Sequence, residues 1–304
     1  MNITIQTYPF SKPLGWSISR YELFSRCKRA YYFSYYGKYD PDIPMDKIRF
    51  LKQITSLHLE IGHTIHHTFE TLLRRLQRSC APVDTARFIQ HGQSLYTEAF
   101  RTKTFMEEYY DGITLDLSHG LGTIADMLTQ FLESDLYEWI LSVAKNDSSQ
   151  WIIEPGGYGE TRIQGYKAYC KMDFLLPVDN SVFILDWKSG KKQVEKHSKQ
   201  LLAYTAAILA ENPHLSVEQI VPKIIYVHTD GVETLSTQVT KTDLMDFYTT
   251  VEQEHGEMIR YCRDPQENVP REKDAFPLCN LPNICKYCQF REICLDTAST
   301  PLLF

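Results

Sequence analysis

The first half of the chain has the apolar spacing of amphipathic helices. Ser19 is a candidate N-cap, and the apolar residues after it share one helical face until Gly37, which predicts a first helix over 19–37. A second helix is predicted over about 57–78. The same spacing continues over most of 80–150, which predicts a helical insertion there.

The pattern changes at Trp151 to short runs that are rich in aromatic, β-branched and long apolar residues, which is typical of strands. We predict strands over 151–154, 162–176, 182–187, 224–228 and 233–236, with helices over 195–210 and 243–261. Alternating strands and helices favour an α/β fold in which helices pack on a sheet. The proline-containing tail that follows is predicted to be irregular.

Composition limits the class of protein. The 304 residues are 43% hydrophobic and 12% aromatic, enough for a sizeable core, so disordered and fibrous folds are excluded. Apolar runs are about half the ~20 residues that a membrane span needs, so we expect a cytoplasmic protein without membrane contact. The net charge of −6 argues against a general coating of nucleic acid, so any nucleic-acid site must be a local patch. The lysines over 188–199 are one such patch.

Two aspartates flank a turn signal and are the most informative residues in the chain. A two-residue loop at 179–180 would place Asp173 directly opposite Asp186 in an antiparallel hairpin, where two like charges repel unless a cation neutralises them. Side chains alternate along a strand, so Lys188 shares the face of Asp186 while Trp187 points away. The register assumes this loop length, whereas the Asp-x-Lys spacing does not.

Such a trio suits hydrolysis of a phosphodiester. Carboxylate oxygens hold Mg²⁺ or Mn²⁺, the metal acidifies its water, and a lysine stabilises negative charge. The alternative is an ordinary turn with solvated charges, because Asp-x-Lys is common. Gln200 and Tyr204 share a face of the next helix and could orient a nucleic-acid strand beside the metal. For the lysines over 188–199 the alternative is a solvated helix face. His66 is either a structural histidine or a ligand whose nitrogen would favour Mn²⁺.

Cysteines near the C-terminus suggest a second metal site. Cys285-x2-Cys288-x5-Cys294 offers three thiolates, and Cys27 is the natural fourth, with Cys279 as a substitute. Four thiolates can hold Zn²⁺ or an iron–sulfur cluster, and spacing does not decide between them. Either would tie the two ends of the chain together; the alternative is a set of buried free cysteines.

Taken in chain order, these residues resemble the PD-(D/E)XK nuclease superfamily. Within it they resemble the iron–sulfur exonuclease branch, which includes RecB- and AddB-type nuclease domains and CRISPR-adaptation exonucleases. The residues that carry the resemblance are Gly62-x3-His66, Asp173, Asp186-Trp187-Lys188, Gln200-x3-Tyr204, and Cys27 with Cys285, Cys288 and Cys294. Three features depart from the pattern. Lys28 follows Cys27 where many relatives have proline, and Cys170 stands where a glycine often precedes the second-motif aspartate. The helical insertion is also longer than in the CRISPR-associated members.

The resemblance implies one nuclease domain over 1–304 with a restriction-endonuclease-like fold, in which helices flank a mixed central sheet. It also implies the insertion over 80–150 and a cysteine clasp over 275–298 that pairs with Cys27 and joins the N- and C-termini. The metal ligands that it implies are His66, Asp173, Asp186 and the carbonyl of Trp187, and the implied catalytic residues are Asp173, Asp186 and Lys188. Gln200 and Tyr204 are the implied substrate-binding residues. The implied ligands of a [4Fe–4S] cluster are Cys27, Cys285, Cys288 and Cys294. Mg²⁺ or Mn²⁺ is the expected catalytic metal, and Zn²⁺ is the less expected occupant of the cysteine site.

The function expected from this resemblance is a metal-dependent DNA exonuclease that acts on single strands or duplex ends in repair, recombination or anti-phage defence. No phosphate-binding Gly-x4-Gly-Lys motif is present, so the chain is not itself a helicase, although a helicase or defence-system subunit is a candidate partner. The alternative is a non-catalytic nucleic-acid-binding or scaffold subunit. An iron–sulfur redox protein is a third hypothesis, but it has no flavin or nicotinamide fingerprint behind it.

Overall fold

The computed structural model describes residues 3–156, 159–279 and 281–295. Their contacts divide into two compact units, each assembled from separate stretches of chain. The first unit takes the described residues of 1–8, 56–102 and 114–249, and the second those of 9–55, 103–113 and 250–304. The predicted organisation, one domain over 1–304 with a helical insertion over 80–150, stays a prediction.

The helices are α1 (Ile18–Arg26), α2 (Lys28–Tyr36), α3 (Met45–Gln53), α4 (Leu57–Leu76), α5 (Thr85–Thr102), α6 (Met106–Tyr109), α7 (Leu117–Leu132), α8 (Asp135–Asn146), α9 (Val194–Glu211), α10 (Lys241–Ile259), α11 (Pro282–Cys285) and α12 (Arg291–Leu295). The strands are β1 (Ile152–Ile153), β2 (Glu160–Ile163), β3 (Tyr166–Tyr169), β4 (Phe174–Val178), β5 (Ser181–Lys188), β6 (Ile220–His228), β7 (Gly231–Ser236), β8 (Cys262–Asp264) and β9 (Val269–Pro270). Short 3-10 helices occupy Gly37–Tyr39, Val217–Gln219 and Lys273–Ala275. Among the described helices none is long and apolar enough to cross a membrane.

A mixed five-stranded sheet forms the centre of the first unit. Its order is β1-β4-β5-β6-β7, with β5 and β6 parallel and the other neighbours antiparallel. Leu201 of α9 packs with Ile224 on one face, whereas Trp187 on the other face contacts the rings of Phe69 from α4 and Phe131 from α7. The alternation along β5 therefore sends successive side chains to different helices. This architecture, a mixed sheet flanked by helices, confirms the predicted α/β fold and fits the PD-(D/E)XK fold.

The β4–β5 hairpin has the predicted register. Pairing runs from Val178↔Ser181 at the turn to Phe174↔Leu185, so Asp173 and Asp186 follow as the next opposed positions. The loop residue Asp179 has φ +52°, a left-handed conformation that aspartate tolerates better than most residues. Each one-residue slip would exchange the two faces of the strand, so the burial of Trp187 helps to fix the register.

The predicted single strand over 162–176 is wrong, because this segment turns back on itself. Strands β2 and β3 form a separate antiparallel pair, and a two-residue turn at Gln164 and Gly165 connects them. Both turn residues have positive φ, +50° and +78°, as a tight hairpin turn of the mirror-image type requires. The third strand of the segment, β4, begins only at Phe174.

The predicted continuous helix over 19–37 is also wrong, since it breaks at Cys27. There the backbone is extended, with φ −157° and ψ 110°, and Cys27 ends α1 and caps α2 by accepting a hydrogen bond from the N–H of Ala30. The N-cap of α1 is Ser17, which accepts from the N–H of Arg20; Ser19 lies inside the helix. An apolar face that is continuous in sequence does not reveal a cap that interrupts it.

Aromatic packing organises the second unit. The buried ring of Phe276 contacts the rings of Tyr31, Tyr32 and Tyr36 with centroids 5.0 to 6.4 Å apart, which anchors the C-terminal tail on α2. Trp16 donates a buried hydrogen bond to Glu254 at 2.9 Å. The tail predicted to be irregular holds β8, β9 and three short helices, and the part of the predicted clasp beyond residue 295 lies outside the described residues.

His197 provides a pH test of the first unit. This residue of α9 is buried, and its Nδ1 contacts the hydroxyl of Tyr226. Burial, with smaller contributions from the charges of Lys188 and Lys196, lowers the pKa of His197 to about 4. An unfolded histidine titrates near pH 6.5, so stabilisation by the neutral ring is present above that pH and is lost as the pH falls toward the folded-state value.

We therefore expect the free energy of unfolding of the wild type to fall by about 2 kcal/mol more than that of His197→Gln between about pH 7 and about pH 5. Urea denaturation at the two pH values measures this difference. An equal fall in both proteins would show that His197 is not the titrating group.

Candidate metal centre

His66 in the middle of α4 meets Asp173, which directly precedes β4, and Trp187 near the end of β5. The Nδ1 atom of His66 lies 3.2 Å from Oδ2 of Asp173. The backbone N–H of Trp187 donates to the same carboxylate oxygen at 2.8 Å. Asp173 is only 6% exposed, so its carboxylate is held between a helix and the neighbouring strand.

Asp186 lies beside these residues but has different partners. Its Oδ2 contacts the ammonium group of Lys188, and its Oδ1 accepts hydrogen bonds from the amide of Gln200 at 3.2 Å and from the hydroxyl of Tyr204. The hydroxyl of Tyr204 also reaches the carbonyl of Lys171 at 3.1 Å. The predicted substrate-binding pair therefore contacts a catalytic candidate directly in this structure.

The two aspartates have opposite electrostatics. Burial and the charge of Asp173 raise the pKa of Asp186, although Lys188 opposes the effect. Burial would also raise the pKa of Asp173, but the hydrogen bond and charge of His66, the charge of Lys188 and the N–H of Trp187 together outweigh it, so the pKa of Asp173 is lowered. Burial would lower the pKa of His66, but the hydrogen bond and charge of Asp173 and the charge of Asp186 together raise it. Asp173 is therefore the more strongly ionised of the two carboxylates.

Glu154 is a member of this centre that the sequence analysis missed. It follows β1 and lies opposite Asp173, whose carbonyl accepts a hydrogen bond from its N–H at 2.8 Å. Its backbone has φ +44°, which lets the chain leave β1 while the side chain stays at the site. Arg74 of α4 donates to the carbonyl of Ile153 at 3.0 Å and so fixes the end of β1. Glu154 is the last residue of the predicted first strand. The pairing of that strand with β4 places it at the site, and the sequence pattern does not predict this pairing.

His66, Glu154 and Asp173 fit a divalent metal ion. One ligand atom from each lies within 4.8 Å of the others, and in the described part of the chain no other set of three acidic, histidine or cysteine side chains is grouped so closely. One imidazole nitrogen with carboxylate oxygens suits Mn²⁺ and, with more water, Mg²⁺. Asp186, predicted as a ligand, lies outside this group of three, and no contact tests the predicted role of the Trp187 carbonyl.

Gly62 explains the predicted Gly62-x3-His66 pattern in steric terms. A Cβ atom on Gly62 would lie 2.9 Å from Oγ of Ser189, the residue that follows Lys188. Glycine therefore allows α4 to approach the end of β5, and His66 lies one helical turn further along α4.

The cysteines of the predicted clasp surround one cavity in the second unit. The cavity has a volume of about 800 Å³, and its lining includes Cys27, Cys279, Cys285, Cys288 and Cys294. Sγ of Cys279 lies 3.7 Å from Sγ of Cys285. Burial raises the pKa of Cys288 to about 11 and that of Cys294 to about 12. Cys27 and the cysteines of the tail therefore line one space, and their role as ligands of a cluster stays a prediction.

Comparison with known proteins is consistent with this geometry. The sequence model of the PD-(D/E)XK nuclease superfamily matches residues 15–295. No curated protein sequence matches the chain. Among solved structures, the crystal structure of SSO0001 is similar at 18% identity and a TM-score of 0.30, over 62% of this chain and 77% of that one.

Glu154 provides a direct test of the metal centre. We expect Glu154→Gln to weaken Mn²⁺ binding by at least about tenfold, because the neutral amide replaces a charged ligand. Isothermal titration without substrate measures this change. The matched control is Glu267→Gln, since Glu267 also pairs with a lysine but at an exposed position. Equal Mn²⁺ affinities in the two variants would remove Glu154 from the ligand set.

Proposed function

The chain belongs to the PD-(D/E)XK nuclease superfamily, and from this premise we propose that it is a metal-dependent deoxyribonuclease that hydrolyses phosphodiesters as an exonuclease on single strands or duplex ends. Members of the superfamily are typically phosphodiesterases that use Mg²⁺ or Mn²⁺. The observation that carries the proposal is the assembly of His66, Glu154 and Asp173 beside the Asp186–Lys188 pair.

The side chains fit the expected divalent metal: His66, Glu154 and Asp173 would be its ligands, and Asp186 lies next to them. When bound there, such an ion supplies an acidified water and positive charge for the phosphate. Lys188 offers an ammonium at the end of β5, where it can stabilise negative charge on the phosphate. Gln200 and Tyr204 orient Asp186, and the N–H of Trp187 orients Asp173, so the carboxylates are fixed before substrate arrives.

A DNA strand as substrate is supported by the resemblance and by local charge. The segment over 188–199 carries five lysines against one glutamate, so a phosphate backbone is attracted there despite the net charge of −6. In the proposal, Gln200 and Tyr204 follow this patch along α9 and serve the strand by positioning Asp186, which both contact. DNA repair, recombination or anti-phage defence, with a helicase or defence subunit as partner, remains part of the proposal through the resemblance alone.

A [4Fe–4S] cluster held by Cys27, Cys285, Cys288 and Cys294 is the second part of the proposal. Four thiolates around one Zn²⁺ would lie about 3.8 Å from each other, given zinc–sulfur bonds of about 2.3 Å. Within the described residues no three cysteine sulfurs lie within 4.8 Å of one another, and the cavity is large, so a cluster fits the arrangement better than a single zinc ion. Its proposed role is structural, because it would fix the tail against α2.

Lys188→Ala tests the nuclease proposal. We expect loss of cleavage by roughly a hundredfold or more with DNA binding nearly unchanged, because the ammonium acts on the reacting phosphate and contributes little to total strand affinity. The measurement is a time course on end-labelled linear and circular single-stranded DNA with Mn²⁺, Mg²⁺ or EDTA.

Loss of label from linear but not circular DNA would identify end-dependent digestion. The control is Lys12→Ala, an exposed lysine of the second unit. Undiminished cleavage by Lys188→Ala would contradict the assignment of this lysine. Binding without cleavage in every metal would favour a non-catalytic scaffold instead.

Cys285→Ser tests the cluster. We expect this variant to lose both the brown iron–sulfur absorbance and the associated iron and sulfide, and to unfold at a lower temperature, because the tail loses its attachment. Cys80→Ser is the control, since Cys80 is a free cysteine of the first unit. A wild type purified without oxygen that holds neither iron nor sulfide would contradict the proposed cluster.

A further inference from the structure

Lys171 is a cation at the edge of the candidate metal centre, with no role assigned by the resemblance. Its Nζ lies 2.8 Å from Oε2 of Glu154, and its side chain is 62% exposed. Its backbone carbonyl accepts the hydrogen bond from the hydroxyl of Tyr204. The main chain is therefore anchored two residues before Asp173, while the flexible side chain crosses from β4 to the end of β1.

The charges of the metal-free centre explain why a cation lies there. Glu154, Asp173 and Asp186 bring three carboxyl groups together, and Lys188 contacts only Asp186 among them. Glu154 and Asp173 offer oxygens within 4.8 Å of each other, a distance at which two carboxylates repel in a partly buried site. The ammonium of Lys171 offsets this repulsion.

A divalent metal on His66, Glu154 and Asp173 would use the carboxylate that Lys171 contacts. A metal ion and an ammonium group attract the same oxygens, so binding of one weakens binding of the other. Lys171 is the cation that can leave, because its stem is exposed and flexible. Lys188 is less free to move, since its side chain is only 24% exposed and its partner Asp186 is buried.

We propose that Lys171 is a placeholder cation, which neutralises Glu154 in the metal-free protein, is displaced when a divalent metal binds, and thereby lowers the affinity of the centre for that metal. The inference rests on the proposed metal centre and adds a residue that sets its metal affinity. Lys171 is a positioning residue in this scheme, because it acts on a ligand and not on the reacting phosphate.

The test is Mn²⁺ titration of the full-length protein without DNA. We expect Lys171→Met, which keeps the apolar stem and removes the charge, to bind Mn²⁺ about two- to fivefold more tightly than the wild type, the range expected for an exposed ion pair. Lys171→Arg keeps the charge and should bind as the wild type does. The matched control is Lys12→Met, because Lys12 also pairs with a glutamate and is 60% exposed; its Mn²⁺ affinity should not change.

Two further readouts separate a placeholder from a surface charge. Metal-free Lys171→Met should unfold at a lower temperature than the metal-free wild type, and saturating Mn²⁺ should remove that difference, because Lys171 no longer contacts Glu154 in the loaded protein. The affinity difference should also shrink at high ionic strength, since salt screens an exposed ammonium.

An affinity of Lys171→Met for Mn²⁺ that is equal to or weaker than that of the wild type would overturn the placeholder. The same wild-type titration tests the centre itself. Absence of Mn²⁺ binding by the wild type would contradict the metal centre and this inference together, whereas normal wild-type binding with an unchanged variant contradicts the inference alone.

Discussion

The hydrogen bond from the N–H of Trp187 to the carboxylate of Asp173 is the interaction on which the candidate site depends. It extends the β4–β5 pairing by one position, with a side-chain oxygen in place of a backbone carbonyl. It also connects the site with the apolar core on the other face of β5, because Trp187, which donates it, packs its indole against α4 and α7. The apolar core therefore sets the register, and the register sets which carboxylates meet. A slip of one residue would bury Lys188 and expose Trp187.

The hairpin makes the two aspartates neighbours, but their pKa values shift in opposite directions. Asp173 is surrounded by donors, a histidine and a backbone N–H, which favour its ionised form. Asp186 is more deeply buried and lies close to the negative charge of Asp173, so its proton is held more tightly. Lys188, Gln200 and Tyr204 compensate by placing donors around Asp186. A divalent cation would add to this compensation, which is why like charges can be concentrated in one small volume.

The sequence predicted the parts of this arrangement that depend on local patterns. The turn at 179–180, the alternation along β5 and the helical spacing of α4 and α9 were sufficient to place Asp173 opposite Asp186 and to put Lys188 on the same face. Long-range pairing was not predictable in this way. Glu154 reaches the site because β1 pairs with β4, and the hairpin at Gln164 and Gly165 has no strong turn signal in the sequence. The first feature depends on which strands meet, whereas the second is local but lacks the Asn-Gly or Asp-Gly pair that typically marks such a turn.

The prediction of one continuous first helix is wrong, but Cys27 still lies near the cysteines of the C-terminal tail. A continuous helix over 19–37 would give Cys27 an ordinary helical position. The observed break gives it an extended backbone, and its sulfur accepts hydrogen bonds from the N–H of Ala30 and the N–H of Cys279. These donors favour the thiolate, but burial is the larger effect and raises the pKa of Cys27. The break that the apolar pattern did not reveal therefore gives the sulfur of Cys27 two contacts, one that caps α2 and one with the C-terminal tail.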